Sequence, residues 1–443
     1  MKVRPNLFSP ANNLDSLLAA LIGFILIQIF SKHSGIGVSP DSVTYISAAR
    51  HMLGGEGFKS FDNLPVVEFP FAYPFFLTII SFLTKLDPLQ FGPVLNGTLF
   101  GLLLYISGAI MNGFSNPSGW YKRILLSCIL MSPAIQEVYS LLWSETIFLL
   151  LILLFIICIS NYVRKINWSW LLISAGISAC ACLTRYAGVF LVLAGVSIIF
   201  FSGANTLRRR MVHCLVFGSI SVSLLLINII RNLALTGLAT GARQKNDAGI
   251  FKVLENFGGV LCDWLLLDRT PVPAIVLTTL VLLVIIVTIV LTFNRDKTKY
   301  GFEYVIAVTG LMYCVFMLVS SCFTRYEQFT SRLLSPMFIP LLWSASWWLP
   351  GFIARGSYGL KSLFGLTALL ASALFLDIQL QADYEYYDGV KDAGVPGYRE
   401  DPFTESDIVQ YVEKTKTRFD PRFQIYSNAG DAFYFITGLP AHQ

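Results

Sequence analysis

Long apolar runs, joined by connections whose basic residues fall on alternate sides, constrain this chain more than any motif does. Crossing the hydrocarbon of a bilayer takes about 20 residues, and about eleven segments reach that length with some tolerance for tilt. They lie near residues 14–31, 90–111, 121–142, 145–163, 167–184, 187–203, 212–231, 272–293, 302–322, 333–352 and 361–379. Of 443 residues, 55% are hydrophobic and 13% charged, and the mean hydropathy is +0.64. A soluble fold would have to hide more apolar surface than its geometry allows. The chain therefore reads as an all-α polytopic membrane protein.

Orientation follows from the short connections. Lys2 and Arg4, Lys122 and Arg123, Arg164 and Lys165, Arg208 to Arg210, Arg295 with Lys297 and Lys299, and Arg355 with Lys361 fall on one side. The excess of Lys and Arg marks that side as cytoplasmic. The other side receives loops 32–89 and 232–271, the short loop 323–332 and the region from 380 onward, with nearly all the acidic residues. An odd number of crossings puts the N-terminus inside and the C-terminus outside. The first apolar run lacks a small-residue cleavage pattern after Phe30 and reads as a retained signal anchor. Net charge of +5, dispersed between spans, gives no ground for nucleic acid binding.

Six of the eight cysteines lie within spans as ordinary small apolar residues, while Cys262 and Cys322 lie nearer the outer face, where a disulfide could form. The segment 71–86 is apolar but short and contains Pro74. Counting it as a crossing would invert every later loop, so it reads as an interfacial or re-entrant helix. Residues 42–53 read as a second surface helix, with Ser42 available as cap and Tyr45, Ile46, Ala49 and Leu53 on one face. Just ahead stands Asp41. A carboxylate at the mouth of a membrane helix is costly unless it binds something or does chemistry; the plainer alternative is that Asp41 caps the helix. From 380 the composition shifts: 404–419 reads as a helix started at Thr404 with Asp407 three residues on, and FQIYS as a strand. That predicts a small extracytoplasmic α/β appendage over 380–443, beside a transmembrane domain over 1–379.

Several stretches, in order, resemble a known family. DSVTY before a helix ending in GGEGF, then EFPFAYPFFL, FGPVLNGTLFGLLLY, LLWSETIFLLL, LTRYAGVFLVL, IIRNLALTG and SRLLSPMFIPLL are spread through residues 14–350. Together they resemble the GT-C membrane glycosyltransferases, most closely the branch of protein O-mannosyltransferases and the lipid A aminoarabinose transferase. FQIYSNAGDAFYFITGLPA, near the C-terminus, is similar to the extracytoplasmic ends of bacterial members. The resemblance implies a GT-C type fold in the bacterial inner membrane, with surface helices on the outer face. It implies transfer of a sugar from a polyprenyl-phosphate donor to a glycan, lipid or protein acceptor outside the cytoplasm, with inversion.

Such chemistry needs lateral access from the bilayer, cations for the phosphate, and a carboxylate to take the proton of the incoming hydroxyl. Asp41 is the first choice for that carboxylate, as base or as the group that orients the acceptor, with Glu145 of the SET motif as the competing choice or, more plainly, a first-turn partner of the helix dipole. Tyr45 and Glu68 are expected to line the substrate site; the aminoarabinose branch commonly has a basic residue after the acid, where this chain has Phe69. Arg185 with Tyr186, Arg231 with Asn232, and Arg332 close the rim, the arginines as phosphate ligands or as snorkelling interface residues. Arg325 with Tyr326 lies beside Arg332, and Arg325 reads equally as a solvated loop charge. The four histidines form no metal-ligand spacing. The branch generally uses no ion, so no cofactor or required metal is expected. A transporter or flippase is the alternative, although such proteins place polar sites near the midplane and show related halves. A non-catalytic member of a glycan assembly complex is a third reading.

Overall fold

The computed structural model describes residues 7–9, 12–201, 206–293, 301–325, 329–355, 358–420 and 422–442. Lys2, Arg4, Arg295, Lys297, Lys299 and Tyr326 lie outside them, as does the side chain of Lys361. The described residues are all-α. Helix α1 (Leu14–Phe30) is followed by two helices of the first loop, α2 (Pro40–Leu53) and α3 (Ala72–Thr84), then α4 (Pro88–Met111), α5 (Gly119–Leu130), α6 (Pro133–Ser140), α7 (Glu145–Lys165) and α8 (Trp168–Thr184). There follow α9 (Val189–Phe201), α10 (Leu207–Thr236), α11 (Ile250–Trp264), α12 (Pro271–Phe293), α13 (Phe302–Phe323), α14 (Ser331–Ser346), α15 (Leu349–Arg355) and α16 (Tyr358–Ala393). Three short helices end the chain: α17 (Asp401–Thr404), α18 (Asp407–Thr415) and α19 (Gly430–Thr437).

Among the described residues seven helical segments are long and apolar enough to cross a membrane: α4, α7, α10, α12, α13, α14 with α15, and α16. Three expected crossings, α1, α8 and the segment ending α9, are apolar but shorter. The remaining one, 121–142, is not a single helix. Pro133 has no N–H to donate and disfavours helical backbone in the residue before it. Ser132 is accordingly extended (φ −83°, ψ 113°), and the chain restarts as the eight-residue α6. The 13-residue α3 rises about 20 Å, short of a crossing; it packs on α2, with Tyr73 and Leu77 buried beside Tyr45 and Ile46.

Close backbone approach holds α1 against α4. A Cβ on Gly101 would stand 2.9 Å from the Ala20 carbonyl oxygen, and one on Gly97 would press on Gln28 and Phe24. Small residues let helices meet in this way where water supplies no driving force. The core runs from this pair through α7, whose Phe148, Phe155 and Ile156 are fully enclosed, to α13 and α14.

Two links bring the first loop to the start of α7. Gly37 N–H donates to Ser140 (2.8 Å) and its carbonyl accepts from Leu142 N–H (3.0 Å). Asn96 of α4 donates to the Tyr139 and Leu141 carbonyls at 2.9 and 2.7 Å. Residues 37–45 are thereby held beside 139–145.

The C-terminal region departs from the expected α/β appendage. Among its described residues there is no strand; an isolated bridge joins Tyr426 to His442. α16 runs through residue 380 to Ala393, and the helix expected over 404–419 is α18, with Ser406, not Thr404, as N-cap. This region closes over the first loop instead: Val395 N–H donates to Ser34 (3.1 Å), Tyr398 N–H donates to the Val38 carbonyl (2.8 Å), and Tyr434 joins the cluster around Tyr45. Cys262 and Cys322 are free thiols.

Candidate functional site

Helix α2 begins two residues before the expected start. Ser39 is its N-cap, with Pro40 in the first turn, and Ser39 and Ser42 cap each other's backbone reciprocally. The cap therefore does not need Asp41. Its carboxylate, 30% exposed, instead pairs with Arg332 Nη2 of α14 at 2.6 Å.

Arg332 also meets Glu145. Its Nε donates to Glu145 Oε1, and its Nη2 lies 3.4 Å from Oε2. Arg185, in the extended residue that ends α8, reaches Glu145 Oε2 through Nη1 at 2.5 Å and donates to Ser144 Oγ at 2.9 Å. The Glu145 side chain is 1% exposed, so it is a buried charge held by two guanidinium groups. Position at the first residue of α7 adds the helix dipole. Above the cluster, the Arg332 guanidinium lies over the Trp143 ring, 4.0 Å from its centroid, and the indole N–H donates to Ser39 Oγ at 2.7 Å.

Tyr45 completes this group, its hydroxyl 3.3 Å from Ser144 Oγ. Burial first, and then the Asp41 carboxylate, push that hydroxyl far above the ordinary tyrosine range. It stays a neutral phenol that can donate or accept one hydrogen bond.

A second group lies along the 58–68 segment. Tyr186 donates to the Val67 carbonyl (2.8 Å) and accepts from Asn228 and Asn232 at 3.2 and 3.0 Å. Arg231 donates to the Val66 and Phe58 carbonyls at 2.9 and 3.3 Å and lies over the Phe58 ring. Glu68 is exposed; its backbone carbonyl accepts from Arg243 at 3.3 Å, and Gly241 packs on its side chain. The structure thus brings Asp41, Tyr45, Glu145, Arg185 and Arg332 into one charged cluster, while Tyr186 and Arg231 brace the loop that carries Glu68. Among the described residues no group of His, Cys, Asp and Glu is arranged to hold a metal.

No family model matches the chain, and no curated protein matches it either. Among solved structures, it is similar over 97% of its length to ArnT from Cupriavidus metallidurans bound to undecaprenyl phosphate, with a TM-score of 0.49, 13% identity and 84% of that chain covered. The apo state of the same protein gives a TM-score of 0.47 and 12% identity over the same shares.

Sequence reasoning missed three members of the neighbourhood. Trp143 and Ser144 stand inside the LLWSETIFLLL stretch but offered no charge to notice. Glu137, on α6, lies within electrostatic reach of both Arg332 and Glu145. It fell inside the expected crossing 121–142, and a carboxylate within a span was itself the available signal.

Proposed function

We propose that this chain is a membrane glycosyltransferase that moves a sugar from a polyprenyl-phosphate-linked donor to a hydroxyl-bearing acceptor on the non-cytoplasmic face. The observation that carries the reading is the convergence of Asp41, Glu145, Arg185 and Arg332 from four separate parts of the chain. The ordered motif resemblance supports it independently, because each of these residues stands in one of the matching stretches.

The paired charges suit an exchange. Two guanidinium groups face two carboxylates, so an arriving phosphate competes with Asp41 for Arg332, whose planar donors match phosphate as well as carboxylate. Glu145 keeps both arginines in place during that exchange. Asp41, released from its ion pair, is then free to accept a hydrogen bond from an acceptor hydroxyl. The acceptor oxygen attacks the anomeric carbon, its proton passes to Asp41, and the carbon–oxygen bond to phosphate breaks with its electron pair leaving on the phosphate. One displacement needs one base and no covalent sugar intermediate, so the anomeric configuration inverts. Tyr45 holds the Ser144 and Arg185 side of the cluster.

Two measurements test this. Lipid extracts of cells lacking the protein should accumulate a polyprenyl-phosphate sugar, and purified protein should transfer that sugar and release polyprenyl phosphate. Unchanged lipid-linked sugars, with no transfer from any polyprenyl-phosphate sugar supplied, would end the proposal. Single-cysteine labelling should reach position 41 from outside and position 209 only from inside.

A further inference from the structure

Away from the charged cluster, on the same end of the bundle, α1 and α16 enclose a groove of about 480 Å³. Leu26, Ile29 and Phe30 form one wall; Leu380, Asp383, Tyr384 and Tyr387 form the other. Both helices present apolar side chains outward here, with Ile25 and Ile29 47% and 43% exposed and Leu374 and Leu380 62% and 48% exposed. On a membrane protein such faces meet lipid, not water.

Asp383 is out of keeping with that wall. It is 7% exposed, and its Oδ1 is enclosed without a hydrogen-bond partner. Among the described residues no cationic side chain pairs with it. Asp41 and Glu145, by contrast, each face a guanidinium. A buried carboxylate without a partner is strongly unfavourable, and such groups normally pair with a cation or accept several hydrogen bonds. The neighbouring rings do not supply this. Tyr386 directs its hydroxyl to Ser140 Oγ at 2.7 Å, and Tyr387 packs against Phe30 with centroids 5.9 Å apart.

We propose that the α1–α16 groove binds an amine-headed phospholipid, its ammonium group seated on Asp383 between Tyr384 and Tyr387 and its acyl chain along Leu26, Ile29 and Leu380. Three observations choose this occupant. The carboxylate complements a cation and disfavours anionic headgroups. Aromatic rings beside a carboxylate suit an ammonium group, which is attracted to both. The groove opens on the lipid-facing sides of both helices, so the ligand arrives from the bilayer. A lipid seated here would tie α1 to α16 beside the loop that carries Asp41.

The test uses the full chain in nanodiscs of equal phosphatidylethanolamine and phosphatidylglycerol, followed by native mass spectrometry of the lipids retained after detergent release. Wild type should retain phosphatidylethanolamine over phosphatidylglycerol by roughly tenfold, the ratio expected of one charge-assisted contact. Asp383→Asn should abolish the preference. Leu380→Trp, which fills the groove and leaves the carboxylate in place, should lower retention of both lipids and keeps the proposal testable if Asp383→Asn does not fold. Equal retention of the two lipids by wild type, an undiminished preference in Asp383→Asn, or undiminished retention of both lipids in Leu380→Trp would overturn the proposal. Displacement of the lipid by millimolar free ethanolamine would assign the site to a soluble amine and equally overturn it.

Discussion

Two arginines on the same rim, Arg332 and Arg231, have almost nothing in common beyond their side chain. Arg332 is held by carboxylates, Asp41 and Glu145, and by the face of Trp143. Arg231 is held by the backbone carbonyls of Val66 and Phe58 and by the amide of Asn232. The difference lies in what can let go. A carboxylate is itself a functional group, and an incoming anion can replace it at the guanidinium. A loop carbonyl that loses its donor on partial burial is left unsatisfied, so an arginine bound to carbonyls acts as a fastening. Under the proposed function the first cluster is the one that exchanges partners, while the second fastens the 58–68 loop.

The largest effect expected from this contrast is on turnover in Asp41→Asn. If Asp41 takes the acceptor's proton, transfer falls by roughly 10²- to 10⁴-fold. Folding is retained, because Ser39 and not Asp41 caps α2. Rates within a fewfold of wild type, in protein shown to be monodisperse, would place Asp41 with the fastenings. Next is Arg332→Ala, which strands Glu145, 1% exposed, with Arg185 as its remaining partner. Removing one member of a buried pair costs about 3–5 kcal/mol, and thermal unfolding should show it. Adding Glu145→Gln to Arg332→Ala should recover part of the lost melting temperature without recovering donor use. A double variant no more stable than the single one would separate Arg332 from Glu145.

Arg231→Ala should behave differently in kind. It takes the side-chain donor from the Val66 carbonyl, while the Phe58 carbonyl keeps the Val66 N–H at 3.3 Å; the loss of about 1–3 kcal/mol lowers stability while the donor KM stays near wild type. A raised donor KM with unchanged stability would make Arg231 a phosphate ligand and remove the contrast. The smallest effect belongs to Tyr186→Phe, which deletes the hydroxyl shared by Val67, Asn228 and Asn232. A loss of about 1 kcal/mol in stability with nearly normal turnover is expected from kinetics and melting curves measured on the same preparation. A turnover defect larger than the stability loss would move Tyr186 into the exchanging cluster.

Much of the helical framework was legible beforehand because a bilayer imposes a simple length and polarity rule. The segments expected at 90–111, 145–163, 272–293 and 302–322 appear as α4, α7, α12 and α13 with ends within a few residues. The run 121–142 misled because its average hydropathy hid Pro133, whose local backbone restriction outweighs the composition around it. Among the described residues the strand expected at FQIYS reduces to an isolated bridge between Tyr426 and His442. The start of α2 differs too: the sequence offers Ser42 or Asp41 as cap, whereas Ser39 is the N-cap and makes a reciprocal box with Ser42.

By itself the sequence determined the class of solvent this chain folds in, the positions of most helices, and the identities of the charged residues at their ends, since hydrophobic length, proline and basic-residue placement act within a few residues of one another. Tertiary structure alone decided the pairing. Asp41, Glu145, Arg185 and Arg332 are separated by tens to hundreds of residues. Their ion pairs depend on the Gly37 and Asn96 links to residues 139–142 and on the direction in which α14 starts. The same packing turned Arg231 toward carbonyls and left Asp383 without a cationic partner among the described residues. A charge's chemistry is set by what faces it at a few ångströms, and that distance is created when the helices pack.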